Sequence, residues 1–245
     1  MNDRMIMVAA ALLSTAVLGL GSVAANAQQG AASAAQRSYR VSGFDSVSAA
    51  GPHKVVVTVG GAASVRAEGP SDVLDRMEVV VEDGDLEIRP KREFRDHYRW
   101  NDDRRATFYV TAPRLEAAAV AGSGDMRVDR VAGERFSGAI AGSGKLDVGS
   151  LQVSTAHLSI AGSGDLTARG SAARSELSIA GSGTLKLGQL ASRTASVSIA
   201  GSGNADLNAG ETVSVSIVGS GDVAVAGTAR CSVTKMGVGR VRCAR

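Results

Sequence analysis

Apolar and polar residues alternate along the second half of this chain in blocks that return about every 20 residues. Each block is centred on a Gly-Ser-Gly triplet, and positions are counted here from its first glycine. Val120, Ile140, Ile160, Ile179, Ile199 and Ile217 stand two residues before it. Met126, Leu146, Leu166, Leu185, Ala205 and Val223 stand four after it, and Val128, Val148, Ala168, Leu187, Leu207 and Val225 stand six after it. In the later copies Leu158, Leu177, Val197 and Val215 stand four before it, with Ser159, Ser178, Ser198 and Ser216 between the apolar positions. A period of two on both sides of the glycines predicts half-buried strands, not helices.

The triplets begin at Gly122, Gly142, Gly162, Gly181, Gly201 and Gly219, and a worn copy, Gly-Val-Gly, begins at Gly237. The intervals are 20, 20, 19, 20, 18 and 18 residues. Such a period marks units that bury their apolar faces only against their neighbours. Glycine accepts positive φ, so each triplet suits a sharp corner. Inward residues fall symmetrically about the serine. A second glycine seven to eleven residues after the first (Gly133, Gly149, Gly170, Gly188, Gly210, Gly227) offers one return corner per coil. Stacked in register, these coils predict an all-β fold. It is a right-handed parallel β-helix, or β-solenoid, with roughly 20-residue coils cornered at Gly-Ser-Gly. No aromatic follows Phe136 and no proline follows Pro113, as a narrow aliphatic core of uninterrupted strands requires.

The glycines carry no recognised chemistry. Phosphate-binding loops need longer spacings that open a helix, and a nucleophile elbow needs Gly-x-Ser-x-Gly. Asp125, Asp165 and Asp222 follow their triplets and hint at calcium, but Lys145, Thr184 and Asn204 hold the equivalent places. No metal, cofactor or catalytic constellation is expected. The net charge of +3 is mild and forms no basic stripe, which argues against nucleic acid.

At the N-terminus Arg4, the apolar run 5–20 and Ala25-Asn26-Ala27 predict a signal peptide over residues 1–27. Residues 28–36 read as a disordered lead, 37–115 as an N-terminal β-rich part, and 116–245 as regular coils with a C-terminal cap. No stretch after the leader is long and apolar enough to span a bilayer. Export to the periplasm or the cell surface is the expected outcome. Cys231 and Cys243 bracket the worn triplet at odd offsets from Val238, so both should point inward from facing strands. A disulfide closing the last coil is predicted, the alternative being two buried thiols. Lys235 falls in the isoleucine column, as suits a terminal layer.

The N-terminal part is β-rich without visible period. Val55, Val57 and Val59 share one face. Asp83-Gly84 between Met77–Val81 and Leu86–Ile88 signals a hairpin, and Ser71 is expected to cap a short helix over 72–76. Ala106 to Thr111 reads as the last strand before the coils. Between these strands, residues 91–105 carry six basic and four acidic side chains, and five of the chain's eight aromatics lie between Phe94 and Tyr109. Arg, Tyr and Trp are enriched at binding hot spots. Arg95, Tyr98, Arg99, Trp100, Arg104 and Arg105 are therefore the candidate contacts for a partner. An envelope glycan, with guanidinium forks on its acidic groups, or a protein surface would suit them. The alternative is a solvated loop whose aromatics pack onto the first coil.

Gly43-Phe44-Asp45 with Val47, the strand from Lys54 to Val59, Asp83-Gly84-Asp85-Leu86, and Pro113 with Leu115 lead into the repeated Gly-Ser-Gly in a familiar order. They resemble the bacterial family described as putative auto-transporter adhesin, head GIN domain. The likeness covers about residues 37–243 and implies an exported parallel β-helix with no catalytic residues to carry over. No translocator barrel follows Arg245, so surface display by the chain's own machinery is not expected. The leading function is a non-catalytic envelope protein with an adhesive or binding surface, of unknown oligomeric state. The alternatives are a β-helical polysaccharide lyase or hydrolase, which would need convergent carboxylates in one groove, and a periplasmic accessory protein.

Overall fold

A computed structural model describes residues 34–94 and 104–244. Its strands join into one 17-stranded sheet that winds into a β-solenoid of about six turns. In chain order the first elements are β1 (Ala34–Tyr39), β2 (Ser46–Ala50), β3 (Lys54–Val59), β4 (Ser64–Pro70), helix α1 (Ser71–Asp75), β5 (Met77–Glu82), β6 (Asp85–Pro90) and β7 (Thr107–Ala112). Then follow β8 (Ala117–Gly122), β9 (Asp125–Val128), β10 (Val131–Gly142), β11 (Lys145–Gly162), β12 (Asp165–Gly181), β13 (Thr184–Gly201), β14 (Asn204–Gly219), β15 (Val223–Ala226), β16 (Arg230–Met236) and β17 (Val241–Cys243).

From β8 onward each coil pairs in parallel with the next, in the predicted register. Ile140, Ile160, Ile179, Ile199 and Ile217 form one buried column. Ser159, Ser178, Ser198 and Ser216 face outward. The corner glycines Gly142, Gly162, Gly181, Gly201 and Gly219 lie in register and adopt φ between 124° and 129°. Positive φ is only half of their reason. A Cβ on the second glycine of the triplet, Gly164, would come within 2.5 Å of the Gly144 carbonyl oxygen in the layer beside it. That spacing exists because the ladder runs on through the corner. The Ser163 N–H donates to the Gly142 carbonyl at 2.9 Å, and the Ser182 N–H donates to that of Gly162 at 2.9 Å.

The return corner differs from the expectation. In β11 the buried residues run Leu146, Val148, then Leu151, Val153, then Ala156, Leu158, Ile160. In this strand the alternation therefore gains a residue at two places, not one. Strand β13 repeats this with Leu185, Leu187, then Leu190, Ser192, then Ala195, whereas β12 gains a residue only between Ala172 and Ser175. In β11 and β13 this makes three straight runs, and the turns between them keep side chains inward by inserting one residue. Positive φ occurs at Gly170 and Gly227, and a Cβ on Gly149 would come within 2.7 Å of the Asp129 carbonyl oxygen, but Gly133, Gly188 and Gly210 have neither constraint, so half of these turns do not depend on glycine.

The N-terminal part holds two further layers, threaded out of chain order. Strands β2 and β3 pair in parallel with β8 and β9, and on their other side with β6 and β7. Gly51, with φ 109°, joins β2 to β3 in register with Gly122, so residues 50–54 are a coil corner that the period does not reveal. Beyond β6 and β7 the parallel stack stops. Strand β5 pairs with β6 antiparallel, β4 with β7 antiparallel, and β1 with β4 antiparallel. Helix α1 packs beside them through buried Val73 and Leu74. Its N-cap is Pro70 with no side-chain cap, so Ser71 is the first helical residue and not the expected cap. A proline already supplies the fixed φ that starts a helix, and the Arg37 guanidinium bonds the Leu74 carbonyl at the other end, 3.1 Å away. The Asp83-Gly84 hairpin is present, with both residues at positive φ (51° and 84°).

Candidate functional site

The aromatic-basic segment begins and ends at one structural position. In the layer of β2 and β3 the corner is Gly51-Pro52-His53. In the neighbouring layer β6 ends at Pro90 and β7 starts at Thr107, with Ile88 opposite Ala49 and Thr107 opposite Lys54. Residues 91–106 thus stand where every later layer has its three-residue corner. In sequence they are an excursion, 16 residues joining β6 to β7 where three corner residues suffice in the later layers.

Its two ends are anchored. At departure, Arg89 donates to Glu78 and Glu82, each at 2.8 Å, and pairs with Glu87. Its hydrogen bonds to Glu82 and Glu78 push its guanidinium pKa further up. A 3₁₀ turn at Arg92–Phe94 follows, closed by the Phe94 N–H on the Lys91 carbonyl at 2.9 Å. The Arg76 guanidinium lies 6.0 Å from the Phe94 ring centre. At return, Arg104 pairs with Asp72 of α1 at 2.9 Å, and Arg105 with Asp125 of β9 at 3.6 Å. Both arginines remain about half exposed. Of the six candidate contacts, Arg104 and Arg105 are therefore fastened near the core, while Arg95, Tyr98, Arg99 and Trp100 lie outside the described residues.

The aromatics divide by role. Phe108 is fully buried, and Tyr109 stands on the outer face of β7 under the Arg66 guanidinium, 4.7 Å from the ring centre. Neither is presented by the excursion. The residue that sequence reasoning missed is His53. It occupies the register of Gly124, where a side chain is normally forbidden by a neighbouring layer's carbonyl. On its far side the corner has been replaced by the excursion, so an imidazole fits. His53 is 3% exposed, meets Phe108 edge to face with ring centres 5.9 Å apart, and accepts the Ala106 N–H on Nδ1 at 3.3 Å. Burial, with Arg105 nearby, pulls its pKa from 6.5 down to about 4, so it stays neutral and pins the returning chain. The signal available in the sequence was Gly51 itself, preceded and followed by alternating apolar residues.

The three corner aspartates do not converge. Asp125 and Asp165 are separated in their column by Lys145. Asp125 pairs with Arg105, Asp165 takes Lys186 at 3.1 Å, and Asp222 accepts the Arg240 N–H at 2.9 Å. Among the described residues there is no cluster of His, Cys, Asp and Glu that could hold a metal ion, and no helix long and apolar enough to cross a membrane.

Residues 43–229 match the family described as putative auto-transporter adhesin, head GIN domain. No curated protein matches the sequence. Among solved structures, a putative adhesin from Bacteroides fragilis is similar, with TM-score 0.76 and 23% identity over 85% of this chain and 96% of the other. A putative lipid binding protein from Parabacteroides distasonis aligns with TM-score 0.70 and 22% identity over 88% and 98%. A putative adhesin from Parabacteroides merdae aligns with TM-score 0.67 and 14% identity over 88% and 98%. At these identities the likeness is one of fold.

Proposed function

Given that this chain belongs to the family of putative auto-transporter adhesin, head GIN domains, we infer that it is an exported, non-catalytic β-solenoid of the bacterial envelope whose binding surface is the excursion at residues 91–105. The observation that carries this reading is positional. One corner in the stack is replaced by a long segment rich in arginine and aromatic residues, and both of its ends are fastened by ion pairs and a buried histidine. A rigid platform that fastens both ends of a contact segment keeps the entropy cost of binding low. Arg95, Tyr98, Arg99 and Trp100 carry the contact, and the fastened Arg104 and Arg105 orient it. The partner is an anionic envelope glycan, held by guanidinium forks with Trp100 stacked on a sugar face.

Hydrolysis or elimination on a polysaccharide would need two carboxylates, or a base with a cation, facing one groove. The separated and ion-paired aspartates argue for binding instead.

The test is binding of the unit Ala32–Arg245 to isolated envelope glycans and to whole cells, compared with Tyr98→Ala/Trp100→Ala. A loss of at least about tenfold with unchanged melting is expected, since hot-spot aromatics carry about 2 kcal/mol or more. Equal binding by the variant would move the contact to the solenoid faces. Protease shaving of intact cells separates surface display from a periplasmic location.

A further inference from the structure

The two ends of the solenoid are finished differently. At the end near β6 and β7, antiparallel strands and α1 lie over the last parallel layer, and Leu74 and Met77 are buried there. At the other end β16 and β17 form the outermost layer, and the Cys231–Cys243 disulfide joins them. No described residue stacks beyond. Val233, which continues the inward column of buried Val215, is 44% exposed.

The outer ridge of this end is also apolar. Along the column before the corner the residues run Ala161, Ala180, Ala200, then Val218 and Met236. At the last corner Val238 replaces serine. Val218, Met236 and Val238 are 55%, 72% and 80% exposed. Of the five exposed large hydrophobic side chains among the described residues, four are at this end. Residues 228–245 carry five cationic side chains and no acidic one. Arg230, Arg240 and Arg242 are exposed, and none is ion-paired with a described residue. The Lys235 ammonium donates to the Gly239 carbonyl at 3.0 Å.

Cations on an open sheet edge discourage self-pairing, which explains the charge but not the apolar ridge. Bare Met and Val at the tip are unfavourable in water. A second copy meeting end to end would set five charges against five. Apolar side chains at a tip bordered by cations have a different complement, the interface of an anionic lipid bilayer. There aliphatic groups leave water and each Lys or Arg near the surface contributes about 1 kcal/mol. We propose that the C-terminal end of the solenoid docks on the surface of an anionic phospholipid bilayer. Met236 and Val238 enter the interface, and Arg230, Arg240 and Arg242 lie against the phosphates. The disulfide keeps this terminal layer from fraying. Eight strand pairings separate β16 from β6, so the excursion would stand about 38 Å from the lipid at about 4.8 Å per layer.

The test is co-sedimentation of the unit Ala32–Arg245, which contains the whole described core, with vesicles of phosphatidylcholine alone or mixed with phosphatidylglycerol. Binding is expected only to the anionic vesicles and should weaken with added salt. Arg240→Ser/Arg242→Ser should lower the partition about 30-fold, at about fivefold per charge. Met236→Ser/Val238→Ser should lower it about tenfold, with melting unchanged because both side chains are exposed. Equal binding to neutral vesicles, or no effect of the Met236/Val238 pair, overturns the proposal. So does full competition by a soluble anionic polysaccharide. A concentration-dependent dimer that Met236→Ser/Val238→Ser disperses, without vesicle binding, would make the tip a self-association surface instead.

Discussion

The coils from β8 to β17 and the layers built by β2, β3, β6 and β7 obey one packing rule in two ways. In the regular coils, each layer's neighbour in space is also its neighbour in the chain. Every corner then meets another corner, and both glycines of the triplet are required by the carbonyls beside them. In the N-terminal layers, β2 and β3 come first in the chain but are sandwiched between β6/β7 and β8/β9. Gly51 has φ 109° and keeps its glycine for the turn. His53 meets no corner on its far side and carries a large ring. The difference teaches that the glycines answer to the neighbouring layer as much as to the turn. A departure from the triplet therefore marks a place where the stack is interrupted, and here that place bears the candidate contact segment.

The largest expected effect separates column from face within the coils. Ile179 is 1% exposed with isoleucines above and below, and Ser178 beside it faces solvent. Ile179→Asp should cost about 4 kcal/mol or more and unfold the repeat region, because the carboxylate has no partner there. Ser178→Asp should cost well under about 1 kcal/mol. Chemical denaturation of both variants checks this, and equal tolerance would break the register.

The next effect belongs to the interrupted corner. His53 has a folded pKa of about 4 against 6.5 unfolded, so the unfolded chain takes up the proton first. Its contribution is complete above about pH 6.5, declines as the pH falls toward about 4, and is constant below that. The full span is about 3 kcal/mol. His53→Asn should flatten this part of the stability curve relative to the parent. Denaturation midpoints measured between these pH values decide it, and parallel curves would remove the histidine from the argument.

The smallest effect tests the rule directly. Gly164→Ala places a methyl 2.5 Å from the Gly144 carbonyl and should destabilise by about 1–3 kcal/mol through overpacking. His53→Ala should show no such clash, since the same register already holds a side chain there. If Gly164→Ala proved neutral in thermal melts, the glycines would be there for their turn alone.

The disulfide, the hairpin at Asp83-Gly84, the isoleucine column and the outward serines were all legible because each depends on residues close in the chain or on a strict period. Ser71 misled, because a serine at a helix start is a good cap only where the chain places it just outside the helix, and Pro70 already holds that position. The second turn of β11 and β13 was hidden, since it is made by one inserted residue of no fixed type.

By itself the sequence determined a stacked all-β solenoid, its Gly-Ser-Gly corners, its register and its cysteine bridge, because hydrophobic alternation and glycine spacing are local consequences of a repeated contact. Only the tertiary structure decided that the N-terminal strands complete the same stack out of order, that His53 fills a glycine's place, and that residues 91–106 stand where a corner should be. These depend on which layers become neighbours in space, and no local pattern records a neighbour that lies tens of residues away.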